Sequence, residues 1–184
     1  MAIRLKKTNA YKERKDEARR EFIDALSSIS PSIVYYVDET GLDESYHRER
    51  GRSKRGEKVY GIISGRKYKR LNIVAAQCCG NLVAPMEYDG TTDHYVFEAW
   101  FKGELLEAIP RNSVVVLDNA TFHRKTVLTE LASNANARIM FLPAYSPDLN
   151  PVEKTWANLK SFLRKYIHRY INLQDAVSDY FKVE

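Results

Sequence analysis

The run Ser113-Val114-Val115-Val116-Leu117 is apolar almost throughout and closes on Asp118. A half-exposed strand alternates apolar and polar residues, and a surface helix repeats at 3.6. An unbroken run of this length reads instead as a strand buried on both sides, in parallel pairing, with helices over each face. A second run, Ile33-Val34-Tyr35-Tyr36-Val37, also ends on an acid, Asp38. Ligand-binding groups in open α/β sheets gather at the carboxyl ends of strands, where both acids fall.

Residues 11–29 carry Tyr11, Ala18, Phe22, Leu26 and Ile29 at near-helical steps with charges between them, which predicts a basic amphipathic helix stopped by Ser30-Pro31. Its basic face (Lys12, Lys15, Arg19) is available to lie along a polyanion. A strand over 33–38 follows, then a charged loop over 41–58 and a short strand over 59–64. Apolar runs 71–78 and 82–87 flank Cys79-Gly80-Asn81, a hairpin signal. A helix over 95–108, a strand over 113–118, a helix over 125–133 and a strand over 138–142 come next, and helices begin near Pro151 and Asn172. This order predicts a mixed five-stranded α/β sheet with helices on both faces. Residues 1–30 form a helix or linker and 31–184 the main domain, a size that supports one real core.

Thirty-four residues lie between Asp118 and Glu153, which ends Ser146-Pro147-Asp148-Leu149-Asn150-Pro151-Val152-Glu153. Two carboxylates at strand ends and a third opening a helix suit hard divalent cations, which take oxygen ligands. Each acid also has a plainer reading. Asp118-Asn119 is a common way to begin a turn. Asn150, Pro151 and Glu153 make a near-complete capping box, and the helix dipole favours a carboxylate at that position in either role. Asp38 and Glu39 point to opposite faces of their strand, so one of them faces the site. Asp38, the shorter and stiffer, is the choice, with Glu39 as the alternative. His123, five residues after Asp118, is either a packed histidine or a direct participant. Glu39, Asn119 and His123 form a secondary candidate group. The proline-rich stretch 142–147 is expected to be a stiff, polyproline-like connection that fixes where Glu153 lands.

The formal charge is +5, unevenly spread. Residues 47–70 hold ten Lys/Arg against two Glu, and 154–170 hold five Lys/Arg and no acid, whereas 71–153 hold five basic against ten acidic residues. An acidic centre between basic flanks is the pattern for metal-dependent chemistry on a phosphodiester polymer. Arg50, Arg52, Lys54, Arg55, Lys160 and Arg164 are the candidate DNA contacts; the alternative is that they are solvated surface. Cys78 and Cys79 have no other cysteine to pair with and read as core thiols in a reducing compartment. No apolar run approaches a membrane span, so the cytoplasm is the expected location.

Three segments carry a family resemblance: Val37-Asp38-Glu39-Thr40-Gly41, Val116-Leu117-Asp118-Asn119-Ala120-Thr121-Phe122-His123, and the long, specific block from Leu142 through Pro147-Asp148-Leu149-Asn150-Pro151-Val152-Glu153 to Trp156. Together with the 34-residue spacing they resemble the catalytic domain of mariner-superfamily transposases, in the bacterial insertion-sequence branch. The resemblance covers roughly residues 11–170.

It implies a ribonuclease-H-like fold, with Asp38, Asp118 and Glu153 as a catalytic triad holding two Mg²⁺ or Mn²⁺ ions, Asp38 bridging both. It also implies DNA cleavage at transposon ends and strand transfer into target DNA, commonly at TA, by a homodimer engaged on DNA and associated with the nucleoid. Only about 32 residues precede the first strand, room for one helix in place of the helix-turn-helix modules such transposases carry. End recognition is then expected from a separate N-terminal DNA-binding polypeptide, leaving 1–184 less than about tenfold preference for element ends, under ~1.4 kcal/mol. The alternatives are a catalytically silent DNA-binding remnant and a ribonuclease-H-like nuclease using the same triad.

Overall fold

A computed structural model describes residues 15–43, 53–58, 60 and 70–183. Helix α1 (Asp16–Ser27) and a 3₁₀ turn (Pro31–Ile33) lead into β1 (Val34–Asp43), followed by the hairpin β2 (Arg70–Cys78) and β3 (Asn81–Asp89). Next come α2 (His94–Trp100), a π-helical segment (Phe101–Leu105), α3 (Leu106–Ala108), β4 (Val114–Leu117), α4 (Lys125–Asn134) and β5 (Arg138–Phe141). A 3₁₀ turn (Pro147–Leu149), α5 (Val152–Tyr166), a further 3₁₀ turn (Ile167–Arg169) and α6 (Leu173–Val183) complete the order.

The five strands form one mixed sheet in the order β3-β2-β1-β4-β5. The hairpin strands are antiparallel to each other and to β1, while β1, β4 and β5 run parallel. All four residues of β4 are buried, as its unbroken apolar run requires. At the hairpin tip Cys79 (φ 50°) and Gly80 (φ 90°) both adopt positive φ, the turn that matches strand twist. That places Cys79 in solvent and Cys78 half-buried, so the pair is not a set of core thiols.

Strand alternation divides the core in two. Tyr35, Val37, Val115 and Leu117 pack with Phe97, Trp100, Phe101, Leu105, Leu128 and Ala132, under α2, the π segment and α4. On the opposite face Leu42, Leu71, Ile73 and Ala75 meet Val152, Trp156, Leu159 and Leu163 of α5 and Leu173, Ala176 and Val177 of α6. On that same face Phe22, with Leu26 and Ile29, packs on Val34, Val114 and Val116, so α1 lies against the sheet.

Several boundaries differ from the sequence reading. β1 continues through Gly41 and Leu42 to Asp43 instead of entering a loop at 41, because Leu42 is fully buried opposite Leu71. The helix over 95–108 is interrupted by the π-helical segment. An α-helix drifts about 40° per four residues and a π turn rotates the other way, so the widened stretch keeps Phe97, Phe101 and Leu105 facing the sheet. The 142–147 connection is not a uniform polyproline stretch: it turns at Tyr145 (φ 56°) and enters the 3₁₀ turn at Pro147. The strand read over 59–64 lies outside the described residues, apart from Tyr60, which is not in a strand. Among the described residues no helix is long and apolar enough to cross a membrane.

Leu159 anchors α5, and with it the segment carrying Glu153, to the sheet. Leu159→Ala is expected to cost about 2–5 kcal/mol in urea unfolding. Ile171→Ala, at a position 97% exposed, is expected to stay within about 0.5 kcal/mol of the parent.

Candidate active site

Parallel register builds the centre of the site. Val34, Tyr35 and Tyr36 lie opposite Val114, Val115 and Val116, an offset of eighty residues. Carried two residues further, the same offset sets Asp38 opposite Asp118, where neighbouring strands stand roughly 5 Å apart. Both acids share the alternation of Val34, Val114 and Val116, hence the face covered by α1 and α5. Glu39 has the opposite parity and sits with His123.

The helix start delivers the third acid to that face. Asn150 is buried; its Nδ2 donates to Val37 O (3.3 Å), and its Oδ1 accepts from the Val152 N–H (3.3 Å), so one side chain ties the start of α5 to β1. The capping box is half formed. The Asn150 N–H donates to Pro147 O at 2.9 Å, so the Glu153 carboxylate is not needed there and stays exposed. Asp38, Asp118 and Glu153 line one cleft of about 410 Å³, bordered by the 142–147 connection. Among the described residues, no three such side chains are already closed around a common point.

Electrostatics distinguish the acids. Burial, then the neighbouring charges of Glu153, Glu39 and Asp118, push the Asp38 carboxyl up to about 8. Burial opposes ionisation of Asp118 too, but the hydrogen bond from His123 and the Ala120 N–H (3.0 Å) prevail, and its pKa is lowered. His123 is buried between Asp118 Oδ1 (Nδ1, 3.1 Å) and Glu39 Oε1 (Nε2, 3.3 Å), against the rings of Phe97 and Phe122. Burial alone would lower its pKa; hydrogen bonds and charge from the two carboxylates raise it to about 9. All of these contacts of Asp118 use Oδ1, and Oδ2 takes no part in them. An all-oxygen donor set carrying mutually repelling charge fits a hard divalent cation. His123, with both nitrogens committed to carboxylates, does not fit as a ligand.

Of the secondary group, Asn119 borders the cleft, but its amide is engaged: Nδ2 donates to Leu142 O, and Oδ1 accepts from Lys125 Nζ. It fastens the loop after β5 to the end of β4. Lys54 and Arg55 are exposed in a turn, and Arg50 and Arg52 lie outside the described residues. Lys160 is half-buried and Arg164 exposed. They follow Glu153 by seven and eleven residues, near-whole helical turns, and so continue its face of α5 about 10 and 16 Å along the axis.

Two features had no sequence signal. Arg19 is buried and forms a two-pronged pair with Asp148 (3.0 and 2.6 Å), so it faces inward and not along a basic helix face. Tyr145, on the cleft border, holds a left-handed backbone, a conformation that costs a bulky residue about 1–3 kcal/mol.

The metal-free pH profile follows from these shifts. Asp38 and His123 both have folded pKa values above their unfolded ones, so each stabilises at low pH and loses that contribution as pH rises. Thermal melting of metal-free protein should therefore fall between about pH 4 and 9. Asp38→Asn should flatten the part of the curve below about pH 8; an unchanged slope would show that Asp38 is not crowded by charge.

A family profile described as DDE superfamily endonuclease matches residues 33–177. The Mos1 strand transfer complex superposes with a TM-score of 0.76 at 14% identity, over 98% of this chain and 57% of that one. The Mos1 transposase paired-end complex with left transposon end gives 0.71 at 12% identity, over 98% and 60%. The Mos1 transposase catalytic domain with raltegravir and Mn gives 0.64 at 13%, over 96% and 86%. The chain thus spans about 60% of the length of the larger Mos1 chains. No curated protein sequence matches it. The superpositions show the ribonuclease-H-like fold, and with a family profile running from the start of β1 into α6, the chain belongs to the DDE superfamily of endonucleases.

Proposed function

We propose that this chain is the catalytic domain of a DNA transposase that cleaves DNA at transposon ends and joins the freed 3′-hydroxyls to target DNA. The observation that carries the reading is the convergence of Asp38, Asp118 and Glu153, from the middle of β1, the end of β4 and the first turn of α5, on one cleft where neighbouring negative charge presses on Asp38. Asp38, Asp118 and Glu153 would hold two Mg²⁺ or Mn²⁺ ions. Such ions polarise the scissile phosphate and stabilise the attacking and leaving oxygens of an in-line displacement.

The chain's own residues position and balance charge. His123 orients Asp118 through Oδ1; outer partners of this kind fix ligand geometry. Glu39 holds the far side of the imidazole. Lys160 and Arg164, along α5 from Glu153, offer cations to the DNA backbone beyond the scissile phosphate, as does the basic segment with Arg50, Arg52, Lys54 and Arg55. In cleavage, water attacks phosphorus and the P–O3′ bond breaks, leaving a 3′-hydroxyl. In strand transfer that hydroxyl attacks a target phosphate, displacing a target 3′-oxygen. The partners are transposon-end and target DNA, engaged by a homodimer. The Mos1 complexes, of the same fold, include a transposon end in one and are named for strand transfer in another.

A hydrolytic nuclease would share the acids but give no joined products, and a silent remnant would bind DNA without responding to metal. Saturating Mn²⁺ should raise melting of the wild type by mass action, worth about 2.7 kcal/mol at a hundred times Kd. Asp118→Ala should abolish that gain and both cleavage and joining. His123→Asn should weaken Mn²⁺ binding about 10–100-fold. Equal Mn²⁺ shifts in wild type and Asp118→Ala would refute the triad.

A further inference from the structure

Arg70 opens β2 directly opposite Asp43 of β1, and opposite charges so placed in an antiparallel ladder ordinarily pair. Among the described residues, Arg70 forms a salt bridge neither with Asp43 nor with another acid. Its guanidinium lies over Gly41 instead, where an added Cβ would collide with Nη2, Nε and Cζ. Gly41 has no positive φ that would call for glycine, so the bare backbone serves to make room for the arginine. The direction of that reach matters. β4 accompanies β1 at Val34–Tyr36 and ends at Leu117, whereas β2 runs beside β1 from Tyr36 to Asp43. Among the described residues, the 39–43 stretch of β1 therefore has a strand on one side alone. Its other edge overlooks the end of β4, where Asp118 stands. By crossing Gly41 from the β2 side, Arg70 carries its charge toward that open edge. Register and parity set Glu39, Gly41 and Arg70 on one face, and the Tyr88 hydroxyl feels both Glu39 and Arg70. Arg70 thus shares the patch of Glu39, the carboxylate behind the His123 that orients Asp118.

We propose that Arg70 is a phosphate-binding residue: its guanidinium, seated over Gly41, holds a DNA backbone phosphate flanking the one addressed by the three acids. This rests on the reading of the cleft as a DNA-cleaving site. A guanidinium presents two parallel N–H donors to a phosphate, a stronger contact than a single neutral hydrogen bond. An exposed arginine with no carboxylate partner gives up no ion pair to make it. Set outside the acid cluster, the cation draws the DNA backbone without neutralising the carboxylates that hold metal.

The test is binding of the full 184-residue chain to a short fluorescent duplex in Ca²⁺ across a range of KCl. Loss of one phosphate contact lowers the slope of log affinity against log salt by about 0.9, and Arg70→Ala should show that change while Arg70→Lys, which keeps the charge, should not. Gly41→Ala should weaken binding comparably, because its methyl group displaces the guanidinium. Added to Arg70→Ala, it should weaken binding no further and melt no lower, since the atoms nearest the new methyl are gone. Arg138→Ala, exposed at the start of β5 and so at the other end of the sheet, should leave the slope unchanged. An unchanged slope in Arg70→Ala, wild-type binding by Gly41→Ala, or an equal loss from Arg138→Ala would overturn the proposal. All variants should keep the Mn²⁺ melting shift. With that shift intact, failure removes only the role of Arg70; without the shift in wild type, the catalytic reading falls with it.

Discussion

The parallel pairing of β1 with β4 is the constraint on which the site depends. Its offset of eighty residues sets Asp38 beside Asp118 and turns both to the face where α5 begins. A slip of one residue would exchange Asp38 for Glu39 and send every inward side chain of β1 to the wrong face. Burial on both faces of β4 and the tight packing of Leu42 at the far end of β1 oppose such a slip. Asn150 then transmits the register to the third acid, because it bonds β1 and the start of α5 with one side chain.

Bringing these acids together works against the fold. Asp38, mostly enclosed and close to Glu153, Glu39 and Asp118, is held far above the usual carboxylate range. The protein balances the two flanks differently. Behind Asp118 it supplies a cation of its own, the His123 imidazolium shared with Glu39. In front of Asp118, around Asp38 and Glu153, it supplies none among the described contacts. On the proposed reading, that asymmetry is what would draw a divalent cation to the cleft. The histidine itself is unsuited as a ligand, since its nitrogens are both committed to carboxylates.

Much of this was legible in the sequence because it is written in local patterns. Apolar runs closed by acids marked β1 and β4, Cys79-Gly80-Asn81 marked the hairpin, and Asn150-Pro151 marked the start of α5. Strand parity put Asp38 and Glu39 on opposite faces, while the choice between them rested on the shorter side chain of Asp38. What sequence patterns missed depends on distant partners or on backbone geometry without a residue signature. Arg19 looks like any basic residue on an amphipathic helix until Asp148, 129 positions away, closes on it. The π-helical widening answers to the sheet beneath it, and the left-handed turn at Tyr145 carries neither glycine nor asparagine to announce it.

The division between these classes has a physical meaning for the site. The acids stand in the middle of β1, at the end of β4 and in the first turn of α5, elements whose geometry is set by backbone hydrogen bonds, so their relative positions tolerate little variation. The 142–153 connection has no such ladder and is held by side chains: Asn119 and Arg19 from outside it, and its own Asn150, bonded to Val37 O, and buried Ser146. Because one of these clamps comes from α1, the helix is part of the support of Glu153 and of the tyrosine beside it. Loss of α1 packing would therefore loosen the cleft from the side that bears no strand, leaving Asp38 and Asp118 in register while the third acid lost its fixed place.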